Sequence, residues 1–171
     1  EKEIKERAEK IAMAAIRFFL LKIDSSQEMV FNPELSISFE GDTGPYIQYT
    51  YASIASIFEK YGKKNMDKIL VIEKLSGINL SLLKDEKEAE LVKILELFRE
   101  KAAIAAEQYK PHLIANYLLE LAHAFNEFYH KCPNLQEKDE LKQVRLVLAY
   151  CVQSVLKSGL KLLEIDVLDR M

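Results

Sequence analysis

Few residues in this chain have the types and spacing that enzymatic chemistry requires. Two of the three histidines, His123 and His130, lie two helical turns apart, about 10.5 Å, which is too far for one metal ion without other ligands. His112 stands apart from both. The glycines of Gly41–Gly44 lack the length and the Lys-Ser/Thr ending of a phosphate loop, which favours a helix-capping turn. With no Ser-His-Asp, Cys-His or HExxH arrangement, the sequence predicts no catalytic residue and no metal site.

The composition is that of one ordinary globular domain. The chain has 171 residues, of which 49% are hydrophobic and 30% charged. Only 5 Gly and 4 Pro argue against sandwiches, barrels and disordered chains. The net charge of −3 excludes a strongly basic, DNA-coating protein, although it leaves room for a local basic face. Cys132 and Cys151 follow no metal or redox spacing, so we expect reduced thiols in a cytosolic protein, with Cys151 buried.

Helical spacing of apolar residues predicts the elements that would position any site. Met29 to Phe39 lacks this spacing, and we expect a mostly irregular loop there, the only stretch that could pair as short strands. A capping box at Asp85 and Glu88 opens one helix, and Asp42 or Thr43 can cap another. The architecture predicted is an all-α helical bundle. The predicted helices run over Ile4–Leu21, Pro45–Tyr61, Asp67–Leu75, Asp85 towards Tyr109, Pro111 to the break at Pro133, and Gln136 or Asp139 to Leu163.

The cleanest of these helices carries one amphipathic stripe at three- and four-residue steps, which predicts the centre of the core. Its members are Ile114, Tyr117, Leu118, Leu121, Phe125 and Phe128.

Two long segments carry a resemblance to a known family. The first reads Phe39-Glu40-Gly41-Asp42-Thr43-Gly44-Pro45-Tyr46-Ile47-Gln48-Tyr49-Thr50-Tyr51-Ala52, and the second runs from Lys110 to Pro133 and continues to the ending Leu168-Asp169-Arg170-Met171. Both resemble the carboxyl-terminal, DALR-type anticodon-binding domain of arginyl-tRNA synthetases. The resemblance covers nearly the whole chain and is weakest between Lys63 and Ser81.

The resemblance implies a class I synthetase that joins arginine to its tRNA with ATP. ATP and Mg would bind a preceding catalytic domain, with no cofactor in this segment. The implied partners are the anticodon arm of tRNA-Arg and that catalytic domain, in a cytoplasmic monomer without membrane contact. Residues 1–38 would link to the catalytic domain, and residues 39–171 would form the bundle. The start at Glu1 and the Arg170-Met171 ending suggest a chain truncated in front with a native carboxyl end.

The resemblance also implies an anticodon pocket. Tyr129 would stack on a base, or else it is a core tyrosine with its hydroxyl at the surface. Met171 would fold back to the pocket, or else it is a frayed terminus. Arg145 would contact phosphate or a base, or pair internally with Glu140 or Asp139. Of Tyr49 and Tyr51, which point to different sides of one helix, at most one would face RNA.

Several cations complete the predicted surface. Lys60, Lys63 and Lys64 would meet the RNA backbone, or else complement the dipole of their helix. Arg17 and Lys22 would contact phosphates of the inner tRNA stem, or else stay solvated. Ser53 stands where the family typically has an arginine, so either Arg145 or Lys60 replaces that cation or the domain binds anticodons more weakly.

Two other functions compete with this interpretation. A helical protein-interaction module derived from the same fold would show a broad uncovered apolar patch, whereas an RNA-binding domain would show a basic groove beside Tyr129. A free-standing enzyme is disfavoured because the sequence holds no catalytic constellation.

Overall fold

The structure is a computed structural model that describes residues 1–62, 66, 78–132 and 139–171. Every regular element in these ranges is helical, which confirms the predicted all-α class. The helix predicted over Asp67–Leu75 and the predicted break at Pro133 lie outside the described residues. The elements are α1 (Lys2–Leu21), α2 (Pro33–Ser36), α3 (Gly44–Tyr61), a single 3-10 turn (Leu80–Leu82), α4 (Glu86–Glu96), α5 (Phe98–Glu107), α6 (His112–Lys131) and α7 (Asp139–Leu162).

The predicted helix starts form as the sequence indicates. The Thr43 hydroxyl accepts a hydrogen bond from the Tyr46 backbone N–H at 3.1 Å, which caps α3, and Gly62 ends that helix with φ 94°. The capping box of α4 is complete: the Asp85 side chain accepts from a first-turn N–H, and the Glu88 carboxylate accepts from the Asp85 N–H at 2.9 Å. Local side-chain chemistry therefore fixes where both helices begin.

The loop between α1 and α3 differs from the prediction in one respect. It contains the one-turn helix α2, which begins because the Asn32 side chain accepts a hydrogen bond from the Leu35 N–H at 3.2 Å. No residue of the described loop is in a strand. An Asn-Pro start thus favours a helical turn over extended pairing.

Helix α6 is the centre of the bundle. It packs against α1, α3, α4, α5 and α7, and the whole predicted apolar stripe is buried. Leu118, Leu121, Phe125 and Phe128 have no exposed surface. The helix is therefore a rigid support for the side chains at its carboxyl end.

The buried face of α7 differs from the prediction at one position. Cys151 is exposed, whereas Val144, Leu148 and Val152 are buried. These buried residues recur every four positions, and Cys151 lies one residue outside that stripe, on the flank of the helix. The buried thiol is Cys132, directly after α6. The prediction of a buried Cys151 was wrong.

Within the described ranges, no helix is both long enough and apolar enough to cross a membrane.

Candidate nucleic-acid interface

A cavity of about 440 Å³ opens between α3, the carboxyl end of α6 and the last two residues. Helix α3 supplies most of its wall through Tyr49, Ser53, Ser56 and Lys60. Steps of four, three and four residues place these side chains on one helical face. The wall therefore combines an aromatic ring, two hydroxyls and an ammonium group.

Tyr129 closes the cavity from α6. Its ring is half-buried and lies parallel to the ring of Phe125, with centroids 6.1 Å apart and an interplanar angle of 15°. Phe125 is wholly buried in the core. Because the neighbouring ring cannot move without disturbing the core, Tyr129 offers a preorganised aromatic surface to the cavity.

The last two residues, Arg170 and Met171, complete the lining. The Arg170 guanidinium donates a hydrogen bond to the Glu59 carboxylate of α3. The side chains are 71% and 62% exposed, so water screens the pair and its net stabilisation is small. Arg170 can therefore exchange Glu59 for another anion at little cost.

The structure brings five of the predicted site residues to this one cavity: Tyr49, Ser53, Lys60, Tyr129 and Met171. Tyr51 is buried while Tyr49 is exposed, as their places on opposite sides of the helix predict. Lys64 and its neighbour Lys63 lie outside the described residues.

Arg145 does not line this cavity. It is buried and donates from Nε to the Glu88 Oε1 at 2.7 Å, with the two side chains only 8% and 1% exposed. Of the two alternatives predicted for Arg145, the structure has the internal pair rather than a place in the cavity, and the partner in this bond is Glu88 instead of Glu140 or Asp139. The physical reason is that α7 packs against the start of α4, where Glu88 already forms the capping box.

Arg17 and Lys22 also have internal acceptors. The Arg17 guanidinium donates to the backbone carbonyl of Glu164, and the Lys22 ammonium donates to the carbonyl of Asp42 at 2.9 Å. Both cations therefore connect α1 to other parts of the bundle. The two predicted alternatives, a contact with phosphate and a solvated side chain, did not include these internal hydrogen bonds. Their contact with a tRNA stem stays a prediction.

Three polar residues of the cavity were not predicted as site residues: Ser56, Glu59 and Arg170. The helical step of three from Ser53 could have indicated Ser56. Glu59 and Arg170 are separated by more than a hundred residues, and no local pattern signals such a pair.

A second polar cluster joins α3 to α6 away from these residues. The Tyr46 hydroxyl lies 3.0 Å from Nδ1 of His123 and accepts a hydrogen bond from the Asn126 amide at 2.7 Å. Burial raises the pKa of Tyr46 above its usual value. The other ring nitrogen of His123 lies 3.3 Å from the Asp42 carboxylate. In the described part of the chain, no three His, Cys, Asp or Glu side chains are grouped closely enough to hold a metal ion.

The cavity lies inside the part of the chain that matches a known family. The sequence profile of the DALR anticodon binding domain matches residues 47–171, well over half of the chain. The chain belongs to the DALR anticodon-binding domain family. All the cavity residues named above fall within the matched range, so the family's domain and the cavity coincide.

Relatives of this DALR domain are arginine–tRNA ligases. The ligase of Parabacteroides distasonis is 40% identical over 171 residues, which cover 97% of this chain and 28% of that protein. The ligase of Clostridioides difficile is 34% identical over 170 residues, covering 99% of this chain and 28% of that protein. The DALR-domain chain thus spans little more than a quarter of these relatives.

Solved structures share the fold of this DALR domain. The Thermus thermophilus arginyl-tRNA synthetase superimposes with a TM-score of 0.84 at 34% identity, over 97% of this chain and 27% of that one. The Plasmodium falciparum arginyl-tRNA synthetase superimposes with a TM-score of 0.80 over 98% of this chain and 28% of that one. At 24% identity, the second comparison supports the fold alone.

Proposed function

We propose that this DALR domain binds the anticodon arm of tRNA-Arg as the RNA-holding part of an arginine–tRNA ligase. The observation that carries the proposal is the meeting of Tyr49, Lys60, Tyr129 and Met171 at one cavity, from three separate parts of the chain. Aromatic rings, hydroxyls and a cation in one groove are the groups that read splayed bases of a single-stranded loop. The family match and the ligase relatives support the same function.

In this proposal each part of the cavity has a role. A loop base stacks on the Tyr129 ring, which Phe125 holds in place. The Ser53 and Ser56 hydroxyls hydrogen-bond to base edges, and Lys60 contacts the backbone. Arg170 leaves Glu59 for a phosphate, an exchange that the exposure of their ion pair favours. Arginine activation, with ATP and Mg, belongs to the catalytic part of the ligase, in a cytoplasmic monomer.

Tyr129→Ala is expected to weaken binding of tRNA-Arg by about 5- to 150-fold, the factor that corresponds to about 1–3 kcal/mol for a stacked base. Tyr129→Phe keeps the ring and should keep most of the affinity. The measurement is the dissociation constant of the chain for a tRNA-Arg transcript and for a different tRNA.

Tyr109→Ala is the matched control, because Tyr109 is 91% exposed and does not line the cavity. If Tyr129→Ala and Tyr109→Ala change the affinity equally, Tyr129 does not stack on a base. If the unaltered chain shows no binding even at low salt, the proposal itself fails.

Ser53→Arg is expected to strengthen tRNA-Arg binding, because it adds a charged group with five donors to the cavity wall. Where the new guanidinium reaches a phosphate, the slope of log affinity against log salt steepens by about 0.7–0.9. Ser158→Arg adds the same charge on an exposed part of α7 and serves as the control. An equal gain of affinity in both variants would mean that the added net charge, and not its place in the cavity, strengthens binding.

An apolar surface on α1 supports the competing function of a protein-interaction module. Met13, Ile16 and Leu20 follow one another at three- and four-residue steps and are exposed, as are Val30 and Phe31 in the next loop. In our proposal the catalytic part of the same ligase covers this surface, since relatives are more than three times as long as this chain. In a protein-interaction module that does not bind tRNA, a different protein would bind this apolar surface.

A further inference from the structure

The C-terminal segment, residues 164–171, leaves α7 through a turn and then lies over α3. Glu164 has a positive φ of 55°, and the Ile165 N–H donates to the Leu160 carbonyl at 2.9 Å, which reverses the chain at the end of the helix. Ile165 is buried. The beginning of the segment is therefore anchored in the core, while Arg170 and Met171 reach the cavity.

Two residues of α3 hold the middle of this segment. The Gln48 amide donates to the Asp166 carbonyl at 2.7 Å, and Gln48 has no exposed surface. The buried Tyr51 lies beside Asp169: burial raises the pKa of its hydroxyl, and the negative charge of the neighbouring Asp169 carboxylate raises it further. Gln48 and Tyr51 lie three residues apart on α3, beside the face that carries Tyr49 and Ser53. The same helix thus lines the cavity with one face and fixes the segment with the next.

Gln48 also carries a buried atom without a hydrogen bond in the described part of the chain. Its Oε1 has no hydrogen-bond partner among those residues, although its Nε2 donates to the Asp166 carbonyl. A buried amide oxygen left unpaired costs free energy, so an apolar residue would stabilise the bundle better at this position. The amide is therefore better explained by its bond to the C-terminal segment than by its contribution to the core.

We propose that Gln48 and Tyr51 are positioning residues for RNA binding, because they clamp the C-terminal segment so that Arg170 and Met171 form the cavity wall. The inference rests on the proposed function of the cavity. Neither residue lines the cavity itself. Releasing the clamp frees the segment, and the affinity for RNA falls in proportion to the fraction of chains whose cavity wall is in place.

The clamp is tested with Gln48→Met, Tyr51→Phe and the double variant. Gln48→Met removes the hydrogen bond to the Asp166 carbonyl, Tyr51→Phe removes the hydroxyl beside Asp169, and both keep the buried shape. Amide hydrogen exchange of residues 166–171 should accelerate about 2- to 12-fold in Gln48→Met, the factor that corresponds to one hydrogen bond, and should also accelerate in Tyr51→Phe. The two factors should multiply in the double variant. The urea midpoint of the whole bundle should stay unchanged in Gln48→Met, or rise. Gln143→Met, on an exposed site of α7, is the matched control.

The RNA readout then separates a positioning role from a direct one. The double variant should bind tRNA-Arg more weakly, whereas in a chain ending at Ile165 the same substitutions should have no further effect. Unchanged exchange in the segment, or a further loss of affinity in the shortened chain, would overturn the inference. Faster exchange with unaltered RNA affinity would overturn it too, while the proposed function stands. If the unaltered chain fails to bind RNA, the proposed function fails instead, and the exchange rates still decide whether the clamp exists.

Discussion

Replacing Arg145 with leucine is expected to lower the free energy of unfolding by about 3–5 kcal/mol. The substitution leaves the Glu88 carboxylate, whose side chain is 1% exposed, buried without its cation. Glu88 also accepts a hydrogen bond from the Asp85 N–H, so its carboxylate cannot move into solvent without breaking the capping box of α4. Urea unfolding followed by circular dichroism measures the loss.

Two variants show whether the buried charge causes that loss. Adding Glu88→Gln to Arg145→Leu removes the unpaired charge but keeps an acceptor for the capping box, and it should recover much of the stability. Arg7→Leu breaks the pair between Arg7 and the mostly exposed Glu3, and it should cost less than about 1 kcal/mol. Equal losses in Arg145→Leu and Arg7→Leu would contradict the structural role assigned to Arg145.

Phe18→Ala is expected to cost about 3–5 kcal/mol, because Phe18 is 1% exposed and fixes α1 to the bundle. A Cβ atom at Gly44 would lie 2.4 Å from the Ala14 carbonyl oxygen and 2.8 Å from the Phe18 Cβ, so only glycine lets α3 approach α1 this closely. The Phe18 ring therefore belongs to the core of the bundle.

Phe31→Ala is the matched control for this prediction. Phe31 is 46% exposed and contacts Phe19 edge-on, with ring centroids 4.9 Å apart, so its loss should cost less than about 1.5 kcal/mol. A separate early melting transition of α1 in the unaltered chain would contradict the packing of α1 as part of one cooperative unit.

Features that depend on neighbouring residues were predicted well. The stripe of α6 from Ile114 to Phe128 is buried as its spacing indicates, and the capping box at Asp85 and Glu88 forms. Helical periodicity and capping are local, so a stretch of ten to twenty residues carries the whole signal. The one-turn helix α2 was missed because a single turn carries no periodicity.

Features that depend on distant residues were not predictable in the same way. For Arg145 the sequence left open a contact with RNA or a pair with acids on its own helix, whereas Glu88, to which it donates, lies 57 residues away. The Arg170–Glu59 pair spans 111 residues. Tyr129 and Met171 were assigned to the site by resemblance, and only the tertiary fold shows that they line one cavity with Tyr49. Packing of helix on helix decides these contacts, and no single segment encodes it.

In the proposed function, RNA loop bases enter the cavity at Tyr129 and Met171. The chain has 4 methionines, and ¹³C labelling of their methyl groups places probes at Met171 in the cavity and at the exposed Met13 on α1. Titration with the anticodon stem-loop of tRNA-Arg should shift the Met171 methyl resonance and leave Met13 unchanged, while an acceptor-stem hairpin of the same tRNA should shift neither. A stem-loop that shifts Met13 and leaves Met171 unchanged would contradict the claim and place the RNA on α1.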